Sequence, residues 1–442
     1  MFEAYSSDVA WIVTLGFIIA FFLAFGVGAN DVANSFGTSV GSKVLTLRQA
    51  CILATIFEIL GALLMGFKVS DTVRKDIFDV SMYDDEQKLL MMGNMAALAG
   101  SAVWNILATF LRLPISGTHS IVGAVLGFTF VAKGFRGIQW KTLGFIVSSW
   151  FLSPVLSGLV SVLIFVFIRK FILSKVKPGE AGLLFLPFFY GFTVFVNVIS
   201  VVLDGSPVLG LDRLPSWIAV IISVVIAVTV AIVIRFYVVP KERKRAEATR
   251  PENEIPLENP ISSVDNFELN DSNPEVAKLF KSLQVMTAIF GSFAHGGNDV
   301  SNAIAPLVSL WLIYSKNVDG NTPAWLLIYG GIGISAGLWA MGRKVIQTMG
   351  QDLTKITPTS GFTIEIGSAT TVLMASKIGL PISTTHCKVG SVVFVGFVRA
   401  RSTKEVDLKL FRNIVLAWLV TLPFTALLSA FVILILYTTT VP

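Results

Sequence analysis

Charged residues are scarce in this chain of 442 residues, because Asp, Glu, Lys and Arg together make up only 14% of it. Soluble globular domains carry about a quarter of such residues. Hydrophobic residues account for 54% of the sequence, and the mean hydropathy is +0.75. This composition excludes an ordinary soluble domain and predicts an all-α integral membrane protein.

Cysteine and histidine are equally scarce. The two cysteines, Cys51 and Cys387, and the three histidines match neither a disulfide framework nor a zinc site. We therefore expect no transition-metal site and no cofactor. The sequence also lacks the G-x-x-x-x-G-K-[ST] loop that holds nucleotide phosphates. These absences argue against a pump driven by ATP, and we expect no enzymatic activity.

About twelve apolar segments of membrane length follow one another along the chain. Seven precede a polar stretch: Val9–Phe25, Leu47–Phe67, Leu89–Leu111, Ile115–Val131, Leu143–Ile168, Leu183–Leu203 and Pro215–Val239. Five follow it: Leu283–Leu312, Pro323–Met341, Gly361–Ile378, Ile382–Val398 and Phe411–Tyr437. The polar stretch itself, Pro240–Lys281, is rich in Glu, Asn and Pro and predicts a solvated loop.

The stretch Phe25–Val40 returns 268 positions later as Phe293–Val308, and both copies contain G-x-N-D-V-x-N. A carboxylate is costly at the end of membrane-type sequence. One copy alone could be a helix N-cap, but two copies at a fixed offset favour a functional site. Its candidate residues are Asn30, Asp31, Asn34, Asn298, Asp299 and Asn302.

Glycines precede the acidic residue in both copies of this motif. Gly26 and Gly28 lie in the first copy, and Gly296 and Gly297 lie in the second. Because glycine lowers helix propensity, we expect the backbone to open there and to leave carbonyl oxygens free for a ligand.

A second motif is also repeated, since LPISGTH at Leu113–His119 returns as LPISTTH at Leu380–His386. The two motifs define a first repeat (residues 1–170), two inserted spans (171–239), the polar loop (240–281) and a second repeat (282–442). Seven segments precede the second repeat, so the two copies should have opposite orientations. Inverted repeats with broken or re-entrant helices are typical of secondary transporters.

Basic residues predict the orientation of the chain in the membrane. Lys and Arg concentrate in the central loop, above all at Lys241–Arg250, and in the other loops on its side. The central loop is therefore predicted to be cytoplasmic and both termini external, in a multi-pass protein of the plasma membrane.

The second motif has the composition of an anion site. Pro114 and Pro381 suit the first position of a helix, and the residues after them offer amide and hydroxyl donors. The alternative is a plain proline-initiated helix whose hydroxyls bond to the preceding turn. The candidate anion-binding residues are Ser116, Gly117, Thr118, Ser383, Thr384 and Thr385.

Four acidic residues lie inside apolar segments: Asp31, Glu58, Asp299 and Glu365. Buried carboxylates cannot all stay ionised without cations, and hard cations prefer oxygen ligands. We therefore expect these acids and the motif asparagines to bind cations, and the anion to bind best when the cations are present. Glu58 and Glu365 are not equivalent in the repeat, because Glu365 pairs with Leu98; a purely structural role remains open for both.

Four stretches closely resemble the inorganic phosphate transporter (PiT) family: Gly28–Ala50, Gly296–Leu307, Gly361–Glu365 and Leu380–Gly390. The resemblance implies an inverted-repeat membrane bundle that carries inorganic phosphate together with a cation, by alternating access and as a homodimer. It also implies that the family's paired aspartates are Asp31 and Asp299, and that its two functional glutamates are Glu58 and Glu365.

The stretch Thr46–Gly61 is most similar to the sodium-coupled branch of that family. The expected partners are therefore inorganic phosphate, sodium as co-substrate and the lipid bilayer, with no nucleic acid. Two alternatives stay open: a proton-coupled phosphate or sulfate permease of the same family, and an anion channel, which would lack coupling.

Overall fold

The computed structural model describes residues 3–31, 33–204, 209–211, 214–249, 273–400 and 406–440. Within these ranges the chain is mostly helical and contains no β-sheet, only two isolated bridges. The α-helices are α1 (Ser7–Asp31), α2 (Ala33–Gly41), α3 (Leu47–Asp71), α4 (Gln87–Phe110), α5 (Gly117–Lys133), α6 (Trp140–Ile168), α7 (Pro178–Asp204), α8 (Ser216–Val233), α9 (Val239–Thr249), α10 (Pro274–His295), α11 (Ser301–Tyr314), α12 (Ala324–Met341), α13 (Arg343–Gln347), α14 (Pro358–Lys377), α15 (Thr384–Ala400) and α16 (Leu408–Thr440). Five π-helical turns extend or join them, at Thr72–Asp76, Arg169–Leu173, Ile234–Val238, Gly296–Val300 and Thr348–Asp352.

The helices confirm an all-α membrane protein. In the part of the chain that the structure describes, nine helical stretches are long and apolar enough to cross a bilayer. Each of the twelve predicted apolar segments overlaps at least one helix. Three of the twelve segments are not among these nine stretches. Leu283–Leu312 is divided between α10 and α11, and the other two segments correspond to α14 and α15.

The two repeats have the same order of helices. The pair α1–α2 corresponds to α10–α11, and α3, α4, α5 and α6 correspond to α12, α14, α15 and α16. Contacts between the copies are exchanged in pairs: α5 packs on α16 while α15 packs on α6, and α1 packs on α12 while α3 packs on α10. Such an exchange is what an approximate two-fold relation between the copies produces. The inserted helices α7 and α8 pack on each other.

Glycines allow α1 and α12 to touch through their backbones. A Cβ at Gly28 would lie 1.9 Å from the carbonyl oxygen of Ile334, and a Cβ at Gly337 would lie 1.8 Å from that of Phe25. Neither carbonyl can move without displacing its helix. The crossing therefore requires glycine at both positions.

The same crossing occurs in the other copy. A Cβ at Gly296 would lie 2.1 Å from the carbonyl oxygen of Glu58, and a Cβ at Gly61 would lie 1.9 Å from that of Phe293. Gly296 and Phe293 follow Gly28 and Phe25 by 268 positions, so Glu58 occupies the place that Ile334 has in the first crossing.

The prediction that the motif glycines open the backbone is therefore wrong for the first copy. Helix α1 continues through Gly26 and Gly28 to Asp31. In the second copy the helix is not opened but locally widened, as the π-helical turn Gly296–Val300. Close packing between helices, not low helix propensity, explains Gly28 and Gly296.

The helix pairs α4–α5 and α14–α15 are hairpins whose connecting segments carry the P-I-S motif. At the open end of the first hairpin, the Lys133 ammonium lies 3.2 Å from the Glu86 carboxylate. The prediction that Pro114 and Pro381 begin helices is wrong, because α5 and α15 start three residues later. Ser116 is instead the N-cap of α5, since its hydroxyl accepts a hydrogen bond from the amide of His119 (3.3 Å).

The polar stretch Pro240–Lys281 contains more helix than the sequence predicted. Its first residues continue α9 and its last ones belong to α10, while residues 250–272 lie outside the described part of the structure. Lys, Glu, Arg and Ala dominate the start of the stretch and are good helix formers. The Arg243 guanidinium also pairs with Glu180 of α7 at 3.0 Å.

Candidate substrate and cation site

The tips of the two hairpins meet through a reciprocal pair of hydrogen bonds. The Thr118 hydroxyl donates to the carbonyl of Ile382 (2.8 Å), and the Thr385 hydroxyl donates to the carbonyl of Ile115 (2.9 Å). Each threonine occupies the same place in its copy of the motif, and all four residues are buried. The structure thus brings together the two predicted anion-binding motifs, which are more than 260 residues apart.

Asp31 lies fully buried against this junction. Its Oδ2 accepts a hydrogen bond from the amide of Gly117 (3.1 Å), and its Oδ1 lies 2.7 Å from the Thr385 hydroxyl, whose single proton is shared between Asp31 and the Ile115 carbonyl. The carboxylate therefore contacts both hairpins, at the positive end of the α5 dipole.

Asn30 fixes the connecting segment of the first hairpin. Its side-chain amide donates to the carbonyl of Leu113 (2.9 Å), and its Oδ1 accepts from the amide of Ile115 (3.0 Å). These bonds satisfy backbone groups that no helix satisfies.

Asp299, the counterpart of Asp31, is also buried at the junction. Its Oδ2 accepts a hydrogen bond from the Thr384 hydroxyl (2.7 Å). The amide group of Asn298 lies 3.2 Å from Oδ1 of Asp299 and 3.1 Å from the carbonyl oxygen of Ile382. With its nitrogen turned toward these two oxygens, the Asn298 amide donates to both of them and ties Asp299 to the second connecting segment.

The remaining motif asparagines continue this network. The Asn302 amide donates to the Thr118 hydroxyl (3.0 Å), and its nitrogen lies 2.9 Å from the side chain of Asn298. Asn34 belongs to α2, but its side chain lies outside the part of the structure that is described.

A histidine connects Glu58 to Asp299. Nδ1 of His295 lies 2.8 Å from Oε2 of Glu58, and Nε2 lies 2.7 Å from Oδ2 of Asp299. The Ser292 hydroxyl donates to the other oxygen of Glu58 (3.0 Å). The Nδ1 contact has hydrogen-bond geometry, whereas the approach of Nε2 to Asp299 does not and is a contact of ion-pair distance only.

Glu365 is fully buried and lies among hydrogen-bond donors. Its Oε1 accepts bonds from the hydroxyls of Thr38 (2.5 Å) and Ser39 (2.6 Å), and from the Gln284 amide (3.4 Å). Its Oε2 accepts one from the Thr287 hydroxyl (2.6 Å). The donors to the Glu365 carboxylate lie on α2 and α10, and none of them belongs to the hairpin tips.

Ser39 lies in the sequence G-T-S-V-G at Gly37–Gly41, which matches the G-x-S-x-G pattern of α/β-hydrolases. In those enzymes the serine stands on a sharp turn between a strand and a helix. Here Ser39 lies within helix α2 and donates to Glu365. The pattern therefore does not form a hydrolase nucleophile at this position.

Two predicted anion-binding residues have a capping role. The Ser383 hydroxyl accepts from the amide of His386 (3.1 Å), as Ser116 does from His119. The rings of these histidines pack on tryptophans: His119 lies 3.7 Å from Trp150, centroid to centroid, and His386 lies 3.7 Å from Trp418. The caps are thus held in a packed aromatic cluster between the repeats.

The residues of the acidic network beyond the paired aspartates do not follow the repeat. The repeat positions of Glu58, His295 and Glu365 are occupied by Ile334, Val27 and Leu98. Sequence analysis found the two glutamates but did not assign His295 or the hydroxyl donors of Glu365. The spacing of His295 and Asp299, four residues apart, was the available signal for the histidine.

The chemistry of the site is that of hard ligands. Carboxylate, amide and hydroxyl oxygens surround the junction, and such groups bind alkali and alkaline-earth cations better than transition metals. Among the residues that the structure describes, no group of three His, Cys, Asp or Glu side chains could hold a metal ion.

Comparison with known proteins gives one consistent answer. The sequence model of the phosphate transporter family matches residues 27–429. The sodium-dependent phosphate transporter 1-A of Danio rerio is 40% identical, over 99% of this chain and 96% of that protein. The sodium-dependent phosphate transporter 2 of Xenopus tropicalis is 39% identical, over 96% of this chain and 98% of that protein.

Structural comparison agrees with the sequences. A solved structure of a sodium-dependent phosphate transporter superposes with a TM-score of 0.84 at 36% identity, over 97% of this chain and 99% of that one. The resemblance that the repeated motifs indicated is confirmed over nearly the whole chain. This chain belongs to the phosphate transporter family, a family of transporters and not of enzymes.

Proposed function

We propose that the protein is a sodium-coupled symporter of inorganic phosphate that works by alternating access. The observation that carries the proposal is the junction of the two hairpin tips, where the paired aspartates and the paired P-I-S motifs meet. Relatives that match nearly the whole chain are named sodium-dependent phosphate transporters. The same activity is the best interpretation of this site.

Sodium binds, in this proposal, to the oxygens of the acidic residues and of the asparagines beside them. These residues are Asn30, Asp31, Asn34, Glu58, Asn298, Asp299, Asn302 and Glu365. Buried carboxylates need positive partners, and oxygen ligands suit a hard monovalent cation. The burial of the Asp31 and Asp299 carboxylates at the hairpin junction supports cation positions there.

Phosphate binds to the donors of the hairpin tips, Ser116, Gly117, Thr118, Ser383, Thr384 and Thr385. Three of these donors are now bonded to the aspartates: Gly117 and Thr385 to Asp31, and Thr384 to Asp299. Cations at the carboxylates would replace these bonds and leave the amide and hydroxyls able to donate to phosphate oxygens. Sodium binding and phosphate binding would then favour each other, which is the requirement for symport.

The membrane arrangement follows the same reasoning. We infer two inverted repeats of re-entrant hairpins and spanning helices, with external termini and a cytoplasmic central loop, in a homodimer of the plasma membrane. The exchanged contacts between the copies and the reciprocal Thr118 and Thr385 bonds support the inverted relation. The outward-facing apolar side chains of α8 support contact with lipid.

The experiment is uptake of radiolabelled phosphate into proteoliposomes of the purified protein at fixed pH. An inward sodium gradient is compared with an equal potassium gradient, with sulfate as competitor. We expect accumulation that requires sodium and that sulfate does not suppress. Accumulation that needs only an acidic exterior would indicate proton coupling, and equilibration without accumulation would indicate a channel.

Asp299→Asn tests the site within the same assay. The variant keeps the shape of the side chain and removes the charge, so we expect lower uptake together with weaker sodium dependence. Uptake and sodium dependence equal to those of the wild type would remove Asp299 from the cation site.

A further inference from the structure

A buried lysine lies beside the acidic network. Lys388 belongs to α15, one turn after Thr384, and its side chain is only 4% exposed. Its ammonium makes no hydrogen bond with any residue that the structure describes. The fully buried Glu365 lies on α14, the other helix of the same hairpin, near enough for its charge to act on the ammonium. An ionisable group in this position is costly and indicates a function.

The lysine lines a small cavity of about 20 Å³ between α2, α10, α14 and α15. Thr384 and His295, which both contact Asp299, are part of its wall. The hydroxyl of Ser35, another wall residue, has no hydrogen-bond partner in the described part of the chain. A cavity of this size has room for about one water molecule, and the ammonium and the Ser35 hydroxyl are polar partners for it.

Most of the polar wall of the cavity has no counterpart in the other repeat, although Ser368 aligns with Ser101. The second motif aligns Lys388 with Ile121 and Thr384 with Gly117, and the first motif aligns Ser35 with Ala303. Ile121 is buried and belongs to the hydrophobic core. The fold therefore accommodates an apolar residue at this position, so packing does not explain the lysine.

We propose that Lys388 is a tethered cation that takes the place of a coupling sodium ion when the transporter is empty. This inference rests on the proposed function. Glu365 has hydroxyl and amide donors around it but needs a positive charge nearby if it is to stay ionised without sodium. A lysine can supply it, because its ammonium is compact and its four-carbon chain is flexible.

The proposal separates two modes of transport. Net uptake requires the empty carrier to return without sodium, and this is the step that Lys388 would assist. Exchange of labelled for unlabelled phosphate, with saturating sodium and phosphate on both sides, never passes through the empty carrier. A tethered cation should therefore matter for net uptake and not for exchange.

The test compares both modes for the wild type and for Lys388→Met in proteoliposomes. Methionine is apolar and of similar length, so it removes a buried charge without a large change in packing. We expect net uptake to fall at least about tenfold, which corresponds to about 1.4 kcal/mol in the barrier of the return step. Exchange should stay within about twofold of the wild type. If the methionine variant does not fold, Lys388→Gln provides the same comparison.

Two further variants distinguish charge from structure. Lys388→Arg retains the charge and should restore part of the net uptake, while Ser35→Ala alters the same cavity without changing charge and should leave both modes unchanged. Equal loss of both modes in Lys388→Met, or loss of neither, would overturn the proposal. A selective loss of net uptake in Ser35→Ala would also overturn it.

The proposed function has its own outcome in this experiment. If the wild type shows no sodium-dependent uptake and no sodium-dependent exchange, sodium symport itself fails. If the wild type shows both and the methionine variant loses both equally, only the tethered-cation inference fails.

Discussion

Gly117→Ala tests the contact between the first hairpin and the paired aspartates. The amide of Gly117 donates to Oδ2 of Asp31 at 3.1 Å, and a Cβ at this residue would lie 2.7 Å from the same oxygen. An ordinary contact between these atoms is about 3.4 Å or longer, so Asp31 must move by about 0.7 Å. Gly117 does not have a positive φ, so the alanine backbone is not strained and the effect is steric.

The expected magnitude follows from this displacement. Added volume in a packed interior costs about 1–3 kcal/mol, and a weakened hydrogen bond to a charged group adds to that cost. If the disturbance falls on the state that binds sodium and phosphate, 1–3 kcal/mol corresponds to about a 5- to 150-fold loss in kcat/KM.

The assay is the initial rate of sodium-driven phosphate uptake at low phosphate, with the amount of folded protein measured by size-exclusion chromatography. Gly144→Ala is the matched control, because a Cβ at Gly144 would meet no atom within 4 Å. Uptake by Gly117→Ala within about twofold of the Gly144→Ala control would refute the argument that Gly117 positions Asp31 for binding.

The other two predictions concern stability, measured by thermal unfolding in detergent. Glu365→Gln replaces an acceptor of several hydrogen bonds by a group that carries its own N–H donors, and we expect the free energy of unfolding to fall by about 3 kcal/mol. Ser39→Ala removes one of these bonds and should lower the free energy of unfolding by about 1 kcal/mol. Equal unfolding temperatures for the two variants would contradict this ranking. Gly296→Ala places a Cβ 2.1 Å from the carbonyl oxygen of Glu58, which can move only with its helix, so we expect a loss of about 3 kcal/mol. An unfolding temperature equal to that of the Gly144→Ala control would show that the crossing can widen without cost.

The architecture could be predicted from the sequence where the signal was local or repeated. Long apolar segments indicated the helices, and the two repeated motifs indicated the two copies. The role of Gly28 could not be predicted in this way, because its reason is the carbonyl of Ile334, about 300 residues away in the chain. Helix propensity alone favoured an opened backbone, but interhelical contact determined the outcome.

The same limit applies to the site. Asp31 and Asp299 stand out because each interrupts an apolar segment at the same place in a repeat. The donors of Glu365 carry no such signal, since Thr38 is 327 residues away from it and threonine is common in membrane helices. Lys388 was visible as a charge inside an apolar segment, but the sequence could not show that it lines a cavity with Ser35, His295 and Thr384.

Symmetry adds a constraint on how the transporter can be driven. Contacts that obey the repeat, such as the reciprocal bonds of Thr118 and Thr385, have equivalents in both copies. When the two copies exchange roles, the total contribution of these contacts to the free energy is therefore unchanged. Under the proposed alternating access by inverted repeats, a difference in free energy between inward-open and outward-open states must then come from residues that break the repeat. Glu58, His295, Glu365 and Lys388 are such residues, and their counterparts are apolar. Substitutions in this asymmetric group should therefore shift the balance between the two states, whereas matched substitutions in both copies of the junction should weaken binding in both states alike.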